Sequence, residues 1–162
     1  MRIGLIADTH GLLRPEAKSF LAGVDAILHA GDVGRDDVLA GLRELAPVHA
    51  VRGNVDRTGA ARELPQRLDL EFAGIRIAVT HVRPGESATP DADVVVFGHS
   101  HQPLIEETAG RLWINPGSAG PRRFRLPVSV GRLDLDGGRA MPWLETLGPG
   151  PTTGGGRRVV RG

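Results

Sequence analysis

Three short apolar runs separated by two amphipathic stretches open the chain, and they leave few folds available. Arg2–Ala7, Ala26–Ala30 and Val48–Val51 read as buried strands, each ended by polar residues. Pro15–Leu21 and Asp36–Leu45 read as the helices between them. Pro15 suits a first helical turn, Asp36 or Asp37 is the expected cap of the second helix, and Pro47 closes it. Strands that alternate with helices in this way predict a parallel sheet with helical crossovers.

The pattern then changes. Leu68–Phe72 and Ile75–Thr80 flank Ala73-Gly74, while Leu104–Thr108 and Leu112–Ile114 flank Ala109-Gly110; both pairs read as hairpins. Val94–Phe97 is an apolar strand, and Val128–Leu135 and Arg139–Leu144 are strands on either side of Asp136-Gly137-Gly138. Between Thr80 and Val94 the chain is short and broken by Pro84, Gly85 and Pro90, which predicts a loop. One half α/β and one half hairpins implies two sheets packed face to face with helices outside. The Gly-, Pro- and Arg-rich stretch 148–162 is expected to be a disordered tail.

With 162 residues, the chain has room for one domain with one sizeable core. The apolar run before Asp8 is too short for a secretory signal and no stretch is long enough to span a membrane, so the cytoplasm is the expected location. A net charge of +1 gives no general pull toward nucleic acid or membrane. There is no cysteine, so any metal must be held by nitrogen and oxygen.

Such donors are concentrated at one kind of place. Asp8-Thr9-His10, Gly31-Asp32, Gly53-Asn54, Thr80-His81 and Gly98-His99-Ser100-His101 each follow directly on a predicted strand. Strand ends are where loops converge on a ligand in α/β folds. Asp8 and His10 are two apart, as are His99 and His101, so in extended chain each pair points one way. Glycine before Asp32, Asn54 and His99 permits a sharp turn. Seven donors exceed the needs of one four-coordinate ion and suit two ions sharing a carboxylate, the usual clamp, about 3.5–4 Å across, for attack on a phosphoryl group. Each cluster alone is an ordinary turn; the ordered set of five is specific.

That set, Asp-x-His, Gly-Asp, Gly-Asn, His and Gly-His-x-His, resembles the calcineurin-like metallophosphoesterase family over Met1 to about Leu135. Asn115-Pro116-Gly117-Ser118 and the lack of insertions resemble its small bacterial and archaeal phosphodiesterase subgroup. The resemblance implies a four-layer α/β/β/α sandwich of two mixed sheets, forming one domain over residues 1–147. It implies a first metal on Asp8, His10, Asp32 and His101, and a second on Asp32, Asn54, His81 and His99, with Asp32 bridging. A hydroxide between the metals would be the nucleophile, and Asn54 would also orient a phosphate oxygen. Manganese heads the metals that such ligands suit, with Fe, Ni, Co and Zn as alternatives.

The chain also departs from the family. Val55 stands where larger members carry a proton-donating His, Val82-Arg83 replaces Gly-His, and the helix before Gly-His-x-His is missing. His29 and His49 are expected to be core residues with local hydrogen bonds. Arg122, Arg123 and Arg125 read as a solvated basic turn in preference to a phosphate site, and Asp56 either orients a ligand or caps a turn. The leading expectation is a phosphodiesterase acting on a small phosphate ester. The alternatives are a non-catalytic interaction scaffold, as in a retromer subunit of this architecture, and a nuclease, against which the near-neutral charge counts. Oligomeric state is open.

Overall fold

The strand and helix alternation of the first third folds as the sequence predicts. In the computed structural model, which describes residues 1–89, 91–123 and 125–148, β1 (Arg2–Ile6), α1 (Pro15–Leu21), β2 (Ala26–His29), α2 (Asp36–Arg43) and β3 (Val48–Ala50) follow in order. β1 pairs with β2 and β2 with β3, all parallel. A short α3 (Gly59–Arg62), absent from the sequence reading, follows. The expected cap of α2 is corrected. Its N-cap is Arg35, which makes no side-chain cap bond, while Asp36 reaches across to accept the Ala60 N–H at 2.9 Å in the first turn of α3.

β4 (Arg67–Phe72) and β5 (Ile75–Thr80) form the first hairpin, β6 (Val94–Val96) follows, and β7 (Leu104–Thr108) and β8 (Arg111–Asn115) form the second. Ala73-Gly74 and Ala109-Gly110 all take positive φ, between 51° and 78°. Such turns match the twist of the strands they join, which offsets the cost of holding alanine there. The sheet order is β4-β5-β6-β8-β7, mixed in direction.

The last hairpin, β9 (Val128–Asp136) and β10 (Arg139–Leu147), leaves this sheet. It returns to the first one, with β9 antiparallel to β1, and gives the order β10-β9-β1-β2-β3. β10 runs three residues beyond its predicted end at Leu144 and carries Pro142. An edge strand tolerates that proline because one side of its ladder is unused.

The two sheets pack face to face through Ile3, Leu5, Leu28, Ile77, Val96 and Ile114, all buried. Side chains of the opposite parity on β1, β2 and β9, namely Ile6, Ile27 and Val130, meet Leu21 of α1 and Leu39 and Leu42 of α2. Among the described residues no such helices cover the outer face of the second sheet. Phe97 and Trp113 lie there beneath the Arg83 guanidinium, 5.4 and 4.7 Å from their ring centres. Among its described residues the predicted loop contains a 3₁₀ turn, Glu86–Ala88, and no longer helix. The α/β/β/α order therefore stands with a thin fourth layer. Among the described residues no helix is long and apolar enough to cross a membrane. The tail expected from 148 onward lies, after Gly148, outside the described residues.

Candidate metal centre

All seven donors singled out in the sequence meet at one edge of the sandwich, beyond the carboxyl ends of β1, β2, β3, β5 and β6. His101 Nε2 lies 3.3 Å from Asp8 Oδ1 and 3.2 Å from His10 Nε2. His10 Nε2 lies 3.8 Å from Asp32 Oδ2, and His81 Nε2 lies 3.4 Å from Asp32 Oδ1. His99 joins through its backbone N–H, which donates to Asp8 Oδ2 at 3.0 Å, and its ring stands 3.5 Å from the Asn54 amide.

The backbone that delivers them differs from expectation. Asp8, His10, Asp32, His99 and His101 all have positive φ, from 47° to 68°. The two Asp/His-x-His pairs are therefore not aligned by an extended chain. Each of these five candidate ligands is itself in the left-handed region, a conformation costing on the order of 1 kcal/mol or more for a side chain with a Cβ. Five such residues in one site are held only because the surroundings over-determine them.

Space explains two of the glycines better than turning does. A Cβ on Gly53 would sit 2.1 Å from the Asp32 amide nitrogen and 2.2 Å from its Oδ1. One on Gly98 would sit 2.8 Å from Asp8 Oδ2 and 2.9 Å from the Ala30 carbonyl. Each lets its ligand loop close onto a carboxylate contributed by another strand.

The bracing residues were not legible as such in the sequence. Thr9 Oγ1 donates to the Val33 carbonyl at 3.0 Å and accepts from His29 Nε2 at 2.9 Å, pinning the turn between Asp8 and His10. Asn115 Nδ2 donates to the Gly98 carbonyl at 2.9 Å and to Ser100 Oγ at 3.0 Å, and Ser118 Oγ donates to the Asp8 carbonyl at 2.9 Å. The Asn-Pro-Gly-Ser loop thus clamps ligand loops from both sheets. Asp56 accepts the N–H groups of Val33, Gly34 and Gly53 at 3.2, 2.8 and 2.8 Å, tying the Asp32 loop to the Asn54 loop. It holds together the two loops that carry Asp32 and Asn54.

The electrostatics favour a cation. Burial opposes charge on Asp32, yet the His81 ring 3.4 Å away and the Val55 N–H outweigh it and hold the carboxyl well below its usual range. Burial pushes His10 below its ordinary value against the pull of Asp32, with the Arg123 charge adding to the fall. His81 is buried too, but the Asp32 carboxylate beside it and its bond to the Ala30 carbonyl raise its pKa. The Ala30 carbonyl, 2.8 Å from Nδ1, accepts the proton there and so turns Nε2 toward Asp32. Asp8 Oδ1 and His81 Nε2 are both buried without a hydrogen-bond partner. Unsatisfied oxygen and nitrogen atoms in a buried cluster fit divalent cations, and oxygen and imidazole donors suit Mn, Fe, Ni, Co or Zn.

Comparison with known proteins agrees with this geometry. The family model of the calcineurin-like phosphoesterase superfamily domain matches residues 1–138. The chain belongs to that superfamily. It is 38% identical over 152 residues to a probable metallophosphoesterase of Methanothermobacter thermautotrophicus, covering 85% of this chain and 87% of the relative. It is 33% identical to the probable metallophosphoesterase YsnB of Bacillus subtilis, covering 84% and 85%. In fold it is similar to Vps29 of Cryptosporidium parvum, with a TM-score of 0.85 at 22% identity over 98% of this chain and 96% of that one. It is also similar to an archaeal phosphodiesterase, with a TM-score of 0.74 at 24% identity over 89% and 99%.

Around this metallophosphoesterase site the rim is open. Val55 is 44% exposed and Val82 50%, and neither carries a proton to give. Arg122 and Arg125 are exposed, as a basic turn predicts. Arg123 departs from that reading, with its Nη2 3.4 Å from His10 Nε2, beside the ligand cluster. His29 is fully buried with a local hydrogen bond, as expected. His49 is only half-buried, packed edge-on at 5.6 Å against Phe72, because β3 is the edge of its sheet.

Proposed function

We propose that this chain is a metal-dependent phosphodiesterase that hydrolyses small phosphoric esters with two divalent cations. The observation that carries this reading is the pairing of two ligand groups. The donor atoms of Asp8, His10 and His101 lie within 4.8 Å of one another, and so do those of Asp8, Asp32 and His81. Asp8, His10, Asp32 and His101 would hold one ion, and Asp32, Asn54, His81 and His99 the other. Asp32, with one oxygen toward His10 and one toward His81, would serve both ions. Bound there, two cations would activate a water and draw charge from the phosphoryl oxygens.

The chain's own residues supply the rest. The Asn54 amide, on the exposed side of the cluster, orients a phosphate oxygen. Arg123 lends a guanidinium to a phosphate seated near His10. Val55 gives no proton to the leaving group. A scaffold role on the same fold is free to lose its ligands, and the complete set here argues for catalysis. Manganese is the expected metal and a small ester the expected substrate.

The test is hydrolysis of bis-p-nitrophenyl phosphate by protein supplied with Mn²⁺. The expected result is turnover that disappears on chelation and returns on adding metal. No turnover with Mn, Fe, Ni, Co or Zn would contradict the proposal.

A further inference from the structure

Beside the Asn54 loop lies a cleft of about 360 Å³, lined by Arg52, Arg57, Arg62 and Gln66 over Gly53 and Asn54. Its size is at the small end of ligand pockets and exceeds what a single phosphate needs. Three guanidinium groups share it with one carboxylate, Asp56. That carboxylate is buried and committed on both oxygens to the backbone N–H groups of Val33, Gly34 and Gly53, so it does not cancel the cleft's charge from within.

The arginines are held by backbone rather than by acids. Arg52 Nη1 donates to the Arg62 carbonyl at 3.3 Å, and Arg57 Nε donates to the Asn54 carbonyl at 3.3 Å. Among the described residues neither makes an ion pair. Among the described residues Arg62 pairs only with Glu63, at 3.8 Å, with both side chains largely exposed, a weak contact. Each guanidinium keeps most of its N–H donors for a ligand. Arginine used in this way matches the oxygens of a phosphate two at a time.

We infer that this cleft binds a second phosphate of the substrate, so that the preferred ester carries two phosphate groups, one at the ligand cluster and one among Arg52, Arg57 and Arg62. This rests on the phosphodiesterase reading for the first phosphate. Asn54 links the two places, because its amide faces His99 while its carbonyl anchors Arg57. Arg57 therefore positions the loop as well as lining the cleft. Arg62, on the far side, is the cleaner residue to change.

The test uses the full chain with and without Mn²⁺. Adenosine 3′,5′-bisphosphate and adenosine 5′-monophosphate are titrated calorimetrically into wild type, Arg62→Glu and Arg62→Lys. Wild type is expected to prefer the bisphosphate by about tenfold, roughly one charge-assisted contact, and Arg62→Glu to lose that preference. Arg62→Lys, which keeps the charge, should retain part of it. In parallel, the ratio of kcat/KM for a diester bearing an extra phosphate to that for bis-p-nitrophenyl phosphate should fall in Arg62→Glu. A bisphosphate preference absent from wild type, or kept in Arg62→Glu, would overturn the inference. If no ester is hydrolysed at all, the catalytic reading fails, and the titrations still decide the cleft.

Discussion

The floor of the site and its rim are built by opposite rules. On the floor Asp8, Asp32, His81 and His101 are buried, and most of their neighbours are loops from other strands. Asp8 alone is held by His99 and Ser118, 91 and 110 residues away. On the rim Asn54, Val55, Val82 and the arginines near Asn54 are open or half-open to solvent, and Arg57 is braced within its own loop. A cation needs donors fixed to a fraction of an ångström, which cross-braced backbone provides. A substrate group needs charge and room, which an open rim supplies. The floor therefore decides whether there is chemistry, and the rim decides on what.

Changes to the floor's braces should tell most strongly. Asn115→Ala removes two hydrogen bonds that hold the Gly98–Ser100 turn yet touches no donor atom of the cluster. Metal affinity is expected to fall about 10–100-fold, the usual cost of losing an orienting partner. Competition with a chelating dye measures it. Unchanged affinity would mean that the floor does not depend on its cross-links.

A further brace gives a pH signature. His29 is buried and its pKa is lowered to about 4, chiefly by desolvation. Its Nε2 donates to Thr9, and its Nδ1 has no partner, so an added proton would be an unpaired buried charge. The unfolded chain takes that proton below about pH 6.5 and the folded chain only near 4. His29 therefore contributes stability that is full above about 6.5 and is lost as pH falls toward 4. The loss amounts to about 3 kcal/mol. The difference in urea stability between wild type and His29→Leu should change across that window. A constant difference would show that His29 does not remain neutral.

On the rim the effect should be smaller and selective. With Val55 exposed and unable to donate, rates should depend steeply on the leaving group's pKa. General-acid help is typically worth about 10²–10⁴-fold where it exists. Val55→His is expected to recover part of that for poor leaving groups and little for good ones. A series of aryl phosphate esters assayed on both proteins would show it. Equal slopes would mean that protonation comes from elsewhere and that rim residue 55 is inert.

The same division explains what the sequence disclosed. Every floor donor was legible, because Asp, Asn and His directly after apolar strands are chemically conspicuous. The first-sheet strands and both central hairpins were legible from periodicity and turn residues. Which sheet receives β9 and β10 was not, since a hairpin's own pattern does not say which edge it joins. Nor was the left-handed backbone of Asp8 and His10, because it is imposed by Thr9, His29 and Ser118 through contacts that spacing cannot reveal. The short α3 escaped because its cap comes from Asp36, on another helix. Arg123 looked like its exposed neighbours Arg122 and Arg125; only the fold puts it beside His10.

Metal stoichiometry tests the central claim most directly. Metal-free protein titrated with Mn²⁺ should bind two ions per chain, and Asp32→Ala, which removes the proposed bridge, should bind fewer and more weakly. Two ions in both proteins would contradict the bridging role of Asp32. One ion or none in the wild type would contradict the two-metal account itself.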